Sequence, residues 1–276
     1  MNFYNKYFGG SVLLAWLTIG LVAVWLIVTV MMLAGRLLHF YVPVAEWLTL
    51  PSLFPLFLTR PWTLATYMAV HFDVLHMLFN VLWLYWFGRI MLLTLRERHL
   101  AAAFAGGGIA GGIFFLASAA LGYGSGWLCG CSAAVIAVMC ATALRQPDHP
   151  VNLFLIGEVR LKWVAAACCI LTFIGGGGNQ AAHIGGMLWG VAFGLMLIHG
   201  IDVTGWLSRL SAHKGSRNPG KPAKRNADRM VRVLRDRQAE IKRLDELLDK
   251  IRLSGYGSLS ASERKELNEI SSRIKK

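Results

Sequence analysis

The chain has 276 residues, 55% of them hydrophobic and 16% charged, with a mean hydropathy of +0.50 and a formal net charge of +13. Soluble domains carry about a quarter of their residues as Asp, Glu, Lys and Arg, so an ordinary water-soluble enzyme is excluded. The 10 Trp and 14 Phe exclude disorder over most of the length. Charge is segregated: residues 201–276 hold 19 Lys/Arg and 10 Asp/Glu, which leaves 9 and 5 for residues 1–200. So few fixed charges cannot solvate two hundred residues, which therefore need lipid around them. The composition is that of a polytopic membrane protein with a basic soluble tail.

Six apolar segments are predicted in chain order. The first, 11–34, is longer than a signal-peptide core and lacks a small-residue cleavage pattern, so it reads as a retained span. Residues 36–62 follow, too polar and too broken by Pro43, Pro51, Pro55 and Pro61 to span. With Trp47, Phe54 and Phe57 they fit a partly embedded interfacial loop. The second span is placed at 63–93 and the third at 100–121. The fourth is short, 132–144, behind the glycine-rich stretch 122–130. The fifth is placed at 161–174 and the sixth at 179–200. Cys129, Cys131, Cys140, Cys168 and Cys169 all sit in apolar stretches without a CxxC, so small packing residues are a better reading than a disulfide framework or zinc site.

Basic residues gather in the connections after spans two and four (Arg96, Arg98, Arg145, Arg160, Lys162) and in the tail. The turns 122–126 and 175–178 have none, whereas the first long loop carries Arg36 and Arg60. The positive-inside rule then puts both termini in the cytoplasm, which requires an even number of spans. From His213 a Lys, Arg, Pro and Gly-rich linker leads to Met230, Leu234, Ile241, Leu244, Leu248 and Ile251 at near-heptad spacing, the pattern of an amphipathic helix. Gly255-Tyr256-Gly257 breaks it. Ser260 and Glu263 form a capping box for a second short helix bearing Leu267, Ile270 and Ile274, and the two make a helical hairpin.

Ionisable and polar groups at bilayer depth are costly, so each is a candidate for function. In the second segment His76 and Asn80 stand at i and i+4, on one face of a helix. The fourth opens with Gly130-Cys131-Ser132-Ala133, and the sixth contains Ala182-His183-Ile184-Gly185-Gly186. From Arg145 back to Ser132, and from Arg89 back to His76, is 13 residues, about 20 Å of helix. His183 to Gly200 gives about 26 Å. In a hydrocarbon core about 30 Å thick these groups share one layer about 10 Å below the outer surface.

A serine needs a base, and His183 as a neutral imidazole supplies one. Ser132 begins a helix, so its backbone N–H is free for an oxyanion, with His76 and Asn80 as side-chain donors. Gly186, Gly190 and Gly194 give span six a face without side chains, along which it presses on span four. The chemistry this set allows is acyl transfer to water. Bland readings stand beside it: Ser132 as a helix cap, His183 as an interhelical hydrogen-bonder, the glycines as packing. His71 is expected 140° around the helix from His76, anchoring a loop or binding water. Asp73 is expected in a first helical turn rather than orienting a histidine, which leaves a Ser–His dyad. HExxH and paired membrane aspartates are both missing from the sequence, so no metal or cofactor is expected.

These residues resemble the rhomboid intramembrane serine proteases. His71-Phe72-x-x-x-His76-x-x-Phe79-Asn80 is similar to the second-span motif of that family, Gly130-Cys131-Ser132-Ala133 to its GxSG/GxSA nucleophile motif, and Ala182-His183-x-x-Gly186 to its sixth-span histidine motif. Ala133 stands where glycine is common, and Ile136 where many members stack an aromatic on the histidine. The resemblance covers about 58–200. It implies an all-α, six-transmembrane-helix bundle with Ser132 as nucleophile and His183 as base. His76, Asn80 and the Ser132 amide would surround the oxyanion, with Gly130 and His71 lining the site. It also implies a half-embedded 36–62 loop and a mobile fifth span as lateral gate. The domains are then 1–57 (first span and loop), 58–200 (catalytic core), 201–225 (basic linker) and 226–276 (cytosolic helical hairpin). The tail stretch 247–267 resembles an element behind some bacterial rhomboids. Expected partners are the lipid bilayer, transmembrane segments of substrates and anionic lipid at the tail, with no nucleic acid. The expected location is the inner cell membrane. The alternative function is a catalytically silent rhomboid-like binder of membrane proteins.

Overall fold

In the computed structural model the described residues are 3–124, 126–153, 157–174, 180–205, 247–251, 255–260, 262–264 and 266–267, and the chain divides into two units, Met1–Ser211 and Ala212–Lys276. The first unit opens with the short helix α1 (Phe3–Phe8) and the long helix α2 (Val12–Leu38). Ser11 caps α2, its Oγ accepting from the Leu14 N–H and donating to Glu97 at 2.7 Å. Glu97 also accepts from the Leu13 N–H, so one carboxylate holds the positive end of α2.

The loop that follows folds into α3 (Val44–Leu48), α4 (Phe54–Thr59) and α5 (Thr63–Thr66), with a two-residue strand β1 (Leu50–Pro51) between α3 and α4. Its aromatic residues lock onto one another. Trp47 stacks on Trp62 at 5.9 Å, the Arg60 guanidinium lies over the Trp47 ring, and the Trp62 Nε1 donates to the Trp47 carbonyl.

The second apolar segment is not one helix over 63–93. α5 passes into a 3-10 turn at Tyr67–Ala69, then Val70 takes an extended conformation, and α6 (Val74–Met91) starts afresh. The break has a cause: Asp73 is a true N-cap, its carboxylate accepting from the His76 N–H at 2.7 Å. His71 therefore precedes the helix, which corrects its expected place on the helix far around from His76. Asp73 sits at the helix start as expected.

α7 (Glu97–Ala120), α8 (Ser132–Arg145), α9 (Leu161–Ile174) and α10 (Gln180–Ile198) complete the unit, close to the predicted segments. Every residue from Ala133 to Ala143 is buried, so α8 is apolar all round and forms the axis of the fold. α10 and α7 reach it through glycine. A Cβ on Gly186 or Gly190 would stand 2.2 or 2.5 Å from the carbonyl oxygens of Ala133 and Ala137. On α7, Gly107 and Gly111 meet the Ala137 and Ala133 methyls in the same way.

Two small antiparallel pairs modify the all-α expectation. β1 pairs with β2 (Trp127–Leu128), and β3 (Pro150–Leu153) pairs with β4 (Gly157–Arg160) before α9. Opposite the start of α8, the end of α7, α8 and α10 that bears charge is tied by Arg98–Asp202, His99–Asp202 and the Gln146 amide on the Ile90 carbonyl.

Four helices, α2, α6, α7 and α10, are long and apolar enough to cross a membrane. α8 and α9, at 14 residues, reach about 21 Å and are shorter apolar helices. Trp16, Val30, Leu37, Trp163 and Leu171 are each more than 60% exposed, an outward apolar surface that suits lipid. The chain is a membrane protein.

In the second unit, the predicted linker and most of the amphipathic helix lie outside the described residues, as do Ile270 and Ile274. What is described agrees with the motif: residues 247–251 are helical, Gly255 breaks with φ +76°, and Ser260 and Glu263 exchange reciprocal capping bonds. Lys250 pairs with Glu263, and that contact holds the Glu263 carboxyl down to about 2.

Candidate active site

Three chain segments converge on the N-terminus of α8. Cys131 is the cap residue, so Ser132 occupies the first helical position with its amide free of intrahelical partners. Its Oγ lies 2.7 Å from His183 Nε2, one turn into α10. The glycines set this distance. With Gly186 against the Ala133 carbonyl, the backbone of α10 reaches that of α8 directly, and His183 one turn earlier faces Ser132. His183 Nδ1 is buried and has no hydrogen-bond partner among the described residues. Among the described residues the geometry is that of a pair, with no carboxylate bonded to the imidazole.

The second cluster centres on His71, which is fully buried. Its Nε2 receives the Cys131 N–H at 3.3 Å and the Asn80 amide at 3.0 Å. A backbone N–H can only donate, so Nε2 is an acceptor and the ring proton is on Nδ1. The His71 and His76 rings meet edge to face with centroids 5.2 Å apart. His71 thus joins α6 to the segment that delivers Ser132. Asn80 Nδ2 keeps a second hydrogen beyond the one given to His71.

Gly130 is held at φ +94°, which only glycine adopts without strain, and His76 fills the space where its side chain would be: a Cβ there would lie 2.5 Å from His76 Cε1. The six residues expected from sequence, Ser132, His183, His76, Asn80, Gly130 and His71, therefore lie in one connected cluster. Ile136 is also buried, within the first turns of α8.

Tyr67 was not anticipated. It is fully buried, its carbonyl accepts the Gly130 N–H at 2.9 Å, and its hydroxyl donates to the Gly108 carbonyl at 2.6 Å. One residue, through its carbonyl and its hydroxyl, so braces the nucleophile segment against α7. A phenol inside an apolar run was the available signal, since a buried hydroxyl needs a partner. The pairing of Leu50 with Leu128 was equally unanticipated; with Ser52 bonded to Gly126, it straps the interfacial loop to the strand four residues before Ser132. Among the described residues no group of three His, Cys, Asp or Glu side chains is placed to hold a metal ion.

Comparison with known families agrees with this layout. Residues 58–200 match the Rhomboid domain, and residues 232–273 match a family of unknown function, DUF6576. No curated protein matches the chain. The Rhomboid match spans more than half of the 276 residues and takes in α5 to α10 with the whole Ser132–His183 cluster: the chain belongs to the rhomboid family, whose domain is typical of intramembrane serine proteases.

Proposed function

We propose that the chain is an intramembrane serine endopeptidase that works through a Ser132–His183 dyad. The observation that carries the reading is the 2.7 Å approach of Ser132 Oγ to His183 Nε2. Nε2 takes the serine proton as Oγ attacks the peptide carbonyl. The oxyanion meets the Ser132 N–H at the positive end of α8, with Asn80 and His76 as side-chain donors. Collapse of the tetrahedral intermediate passes the proton from His183 to the leaving amine and leaves an acyl-serine. Water, deprotonated by the same imidazole, then releases the second product.

The bundle crosses the bilayer six times in this reading, α8 and α9 included, with both termini cytoplasmic in the inner cell membrane. The positive-inside distribution supports that orientation. Ser132 stands at the end of α8 opposite Arg145, on the outer side. The substrate is a transmembrane segment that unwinds near its outer end, where small residues such as Ala, Gly or Ser are favoured, Gly and Ser because they also lower the cost of leaving the helix. It enters past α9, beside the half-embedded loop of α3 and α4. The basic tail lies on the anionic inner leaflet, each cation there contributing about 1 kcal/mol, and ends in a soluble helical hairpin.

A serine-directed fluorophosphonate tests the reading on the full-length protein in vesicles. Labelling of the wild type, lost in both Ser132→Ala and His183→Ala, is expected. Equal labelling of all three refutes it, and no labelling of a folded wild type favours the silent binder.

A further inference from the structure

One thiol of α8 meets one of the two on α9: Cys140 Sγ and Cys169 Sγ are 3.8 Å apart, both reduced. The position matters because α9 is held unevenly. Its first turn is clamped, with Leu161, Val164 and Ala165 buried, Leu161 N–H on the His149 carbonyl, and Lys162 paired with Asp148. Further along, Ile170 and Leu171 are 59% and 65% exposed. Cys169 stands in that looser half, about 12 Å along the helix from Leu161, and touches the central helix.

We propose that Cys140 and Cys169 are a thiol–disulfide modification site whose closure ties the loosely held half of α9 to α8. A disulfide needs its sulfurs about 2.05 Å apart. From 3.8 Å each sulfur has to move less than about 1 Å, a displacement within the range of side-chain rotation.

The oxidant is a peroxide small and neutral enough to enter the membrane. Cys169, the more exposed of the two, reacts first. The peroxide O–O bond breaks, one oxygen stays on sulfur as the sulfenic acid, and the other leaves as water. Cys140 Sγ then attacks that sulfur, the S–O bond breaks, and a second water departs as the S–S bond forms. Two thiols lose two electrons, and one peroxide is reduced to two waters. In a reducing cytoplasm the bridge is transient, which suits a sensor rather than a permanent staple.

The test uses the full-length protein in phosphatidylcholine–phosphatidylglycerol vesicles, treated with hydrogen peroxide, unfolded in detergent and alkylated with a polyethylene-glycol maleimide. The reduced protein accepts tags on all five cysteines. Oxidised protein accepts two fewer, and dithiothreitol restores both. Cys168→Ala still loses two reversibly, whereas Cys140→Ala and Cys169→Ala never lose two, because a sulfenic acid left on Cys169 without its partner removes one tag at most. Retention of every tag after oxidation, a reversible loss of two tags in either of those two variants, or a covalent dimer on a non-reducing gel overturns the proposal. If α9 admits substrate, cleavage falls on oxidation and recovers with dithiothreitol. The tag count does not depend on that reading, which fluorophosphonate labelling of the reduced protein tests separately.

Discussion

A methyl group on Gly186 would stand 2.2 Å from the carbonyl oxygen of Ala133, the residue after Ser132. The helix that bears His183 and the helix that bears Ser132 thus touch backbone to backbone one turn from the 2.7 Å contact. Gly186→Ala has to push these helices apart, because neither obstacle is a flexible side chain. Overpacking of this kind costs about 1–3 kcal/mol, and the shift falls on the dyad itself. Gly194→Ala is the milder comparison: its nearest new neighbours lie 3.1 Å away, so a shift of a few tenths of an ångström admits the methyl, and alanine gains about 1 kcal/mol of helix propensity against it. Thermal unfolding in detergent, with fluorophosphonate labelling, is expected to show Gly186→Ala less stable and at least tenfold slower to label. Gly194→Ala is expected to stay close to wild type.

Gly130 separates two effects that glycine substitution usually mixes. Both Gly130 and Gly122 have positive φ, +94° and +84°, but only Gly130 has a neighbour, His76, within reach of a Cβ. Alanine at Gly122 meets backbone strain alone, about 1–2 kcal/mol. Alanine at Gly130 adds displacement of the His76 ring. The expected result is a similar loss of stability from strain in both variants, with a severe loss of labelling only in Gly130→Ala, measured on equal amounts of folded protein.

His71 is a positioning residue whose removal orphans two buried donors. Without its Nε2, the Cys131 N–H and one Asn80 N–H lose the single lone pair they share, at about 1–3 kcal/mol. His71→Ala is therefore expected to lower the unfolding temperature and to slow labelling of Ser132 together. Cys131→Ala keeps the backbone bond and removes a buried sulfur 3.7 Å from His71, so it is expected to cost less stability than His71→Ala and to leave labelling nearly unchanged. A His71→Ala protein as stable as wild type would contradict the role.

The sequence was most informative where the bilayer makes polar groups expensive. Ser132, His183 and Asn80 stood out because almost nothing around them is polar, and the Gly186–Gly190–Gly194 spacing revealed which helix face lies against α8. The same reasoning overran the start of α6. Residues 63–70 and 74–91 are both apolar, so hydropathy merged them, although Asp73 three residues before His76 is a legible cap. That merger hid His71 as a loop residue able to reach Cys131. The strap between Leu50 and Leu128 joins residues 78 apart through two-residue strands, too short to leave a periodic trace. Gly107 and Gly111 share the four-residue spacing of the α10 glycines but sit in a run of alanine and glycine where no single face is distinguished.

At the opposite end of the bundle, the Asp202 carboxylate receives the Thr204 hydroxyl and amide, and pairs with Arg98 and His99 at the start of α7. These donors, the Thr204 hydroxyl foremost, hold its carboxyl well below the ordinary value of 3.8. A depressed folded-state value means that the unfolded chain binds the proton more tightly. The stabilisation is thus fully present above pH 3.8 and is lost as the pH falls toward the folded-state value. Asp202→Asn is expected to unfold at a lower temperature than wild type at pH 7. The gap is expected to narrow as the pH falls below 3.8, because the unfolded wild-type chain there binds a proton that folded Asp202 still refuses. The two proteins compared by thermal unfolding in one detergent between pH 7 and about pH 2 give the answer: a gap no smaller at the acid end than at pH 7 would mean that the Asp202 charge does not fasten α10 to α7.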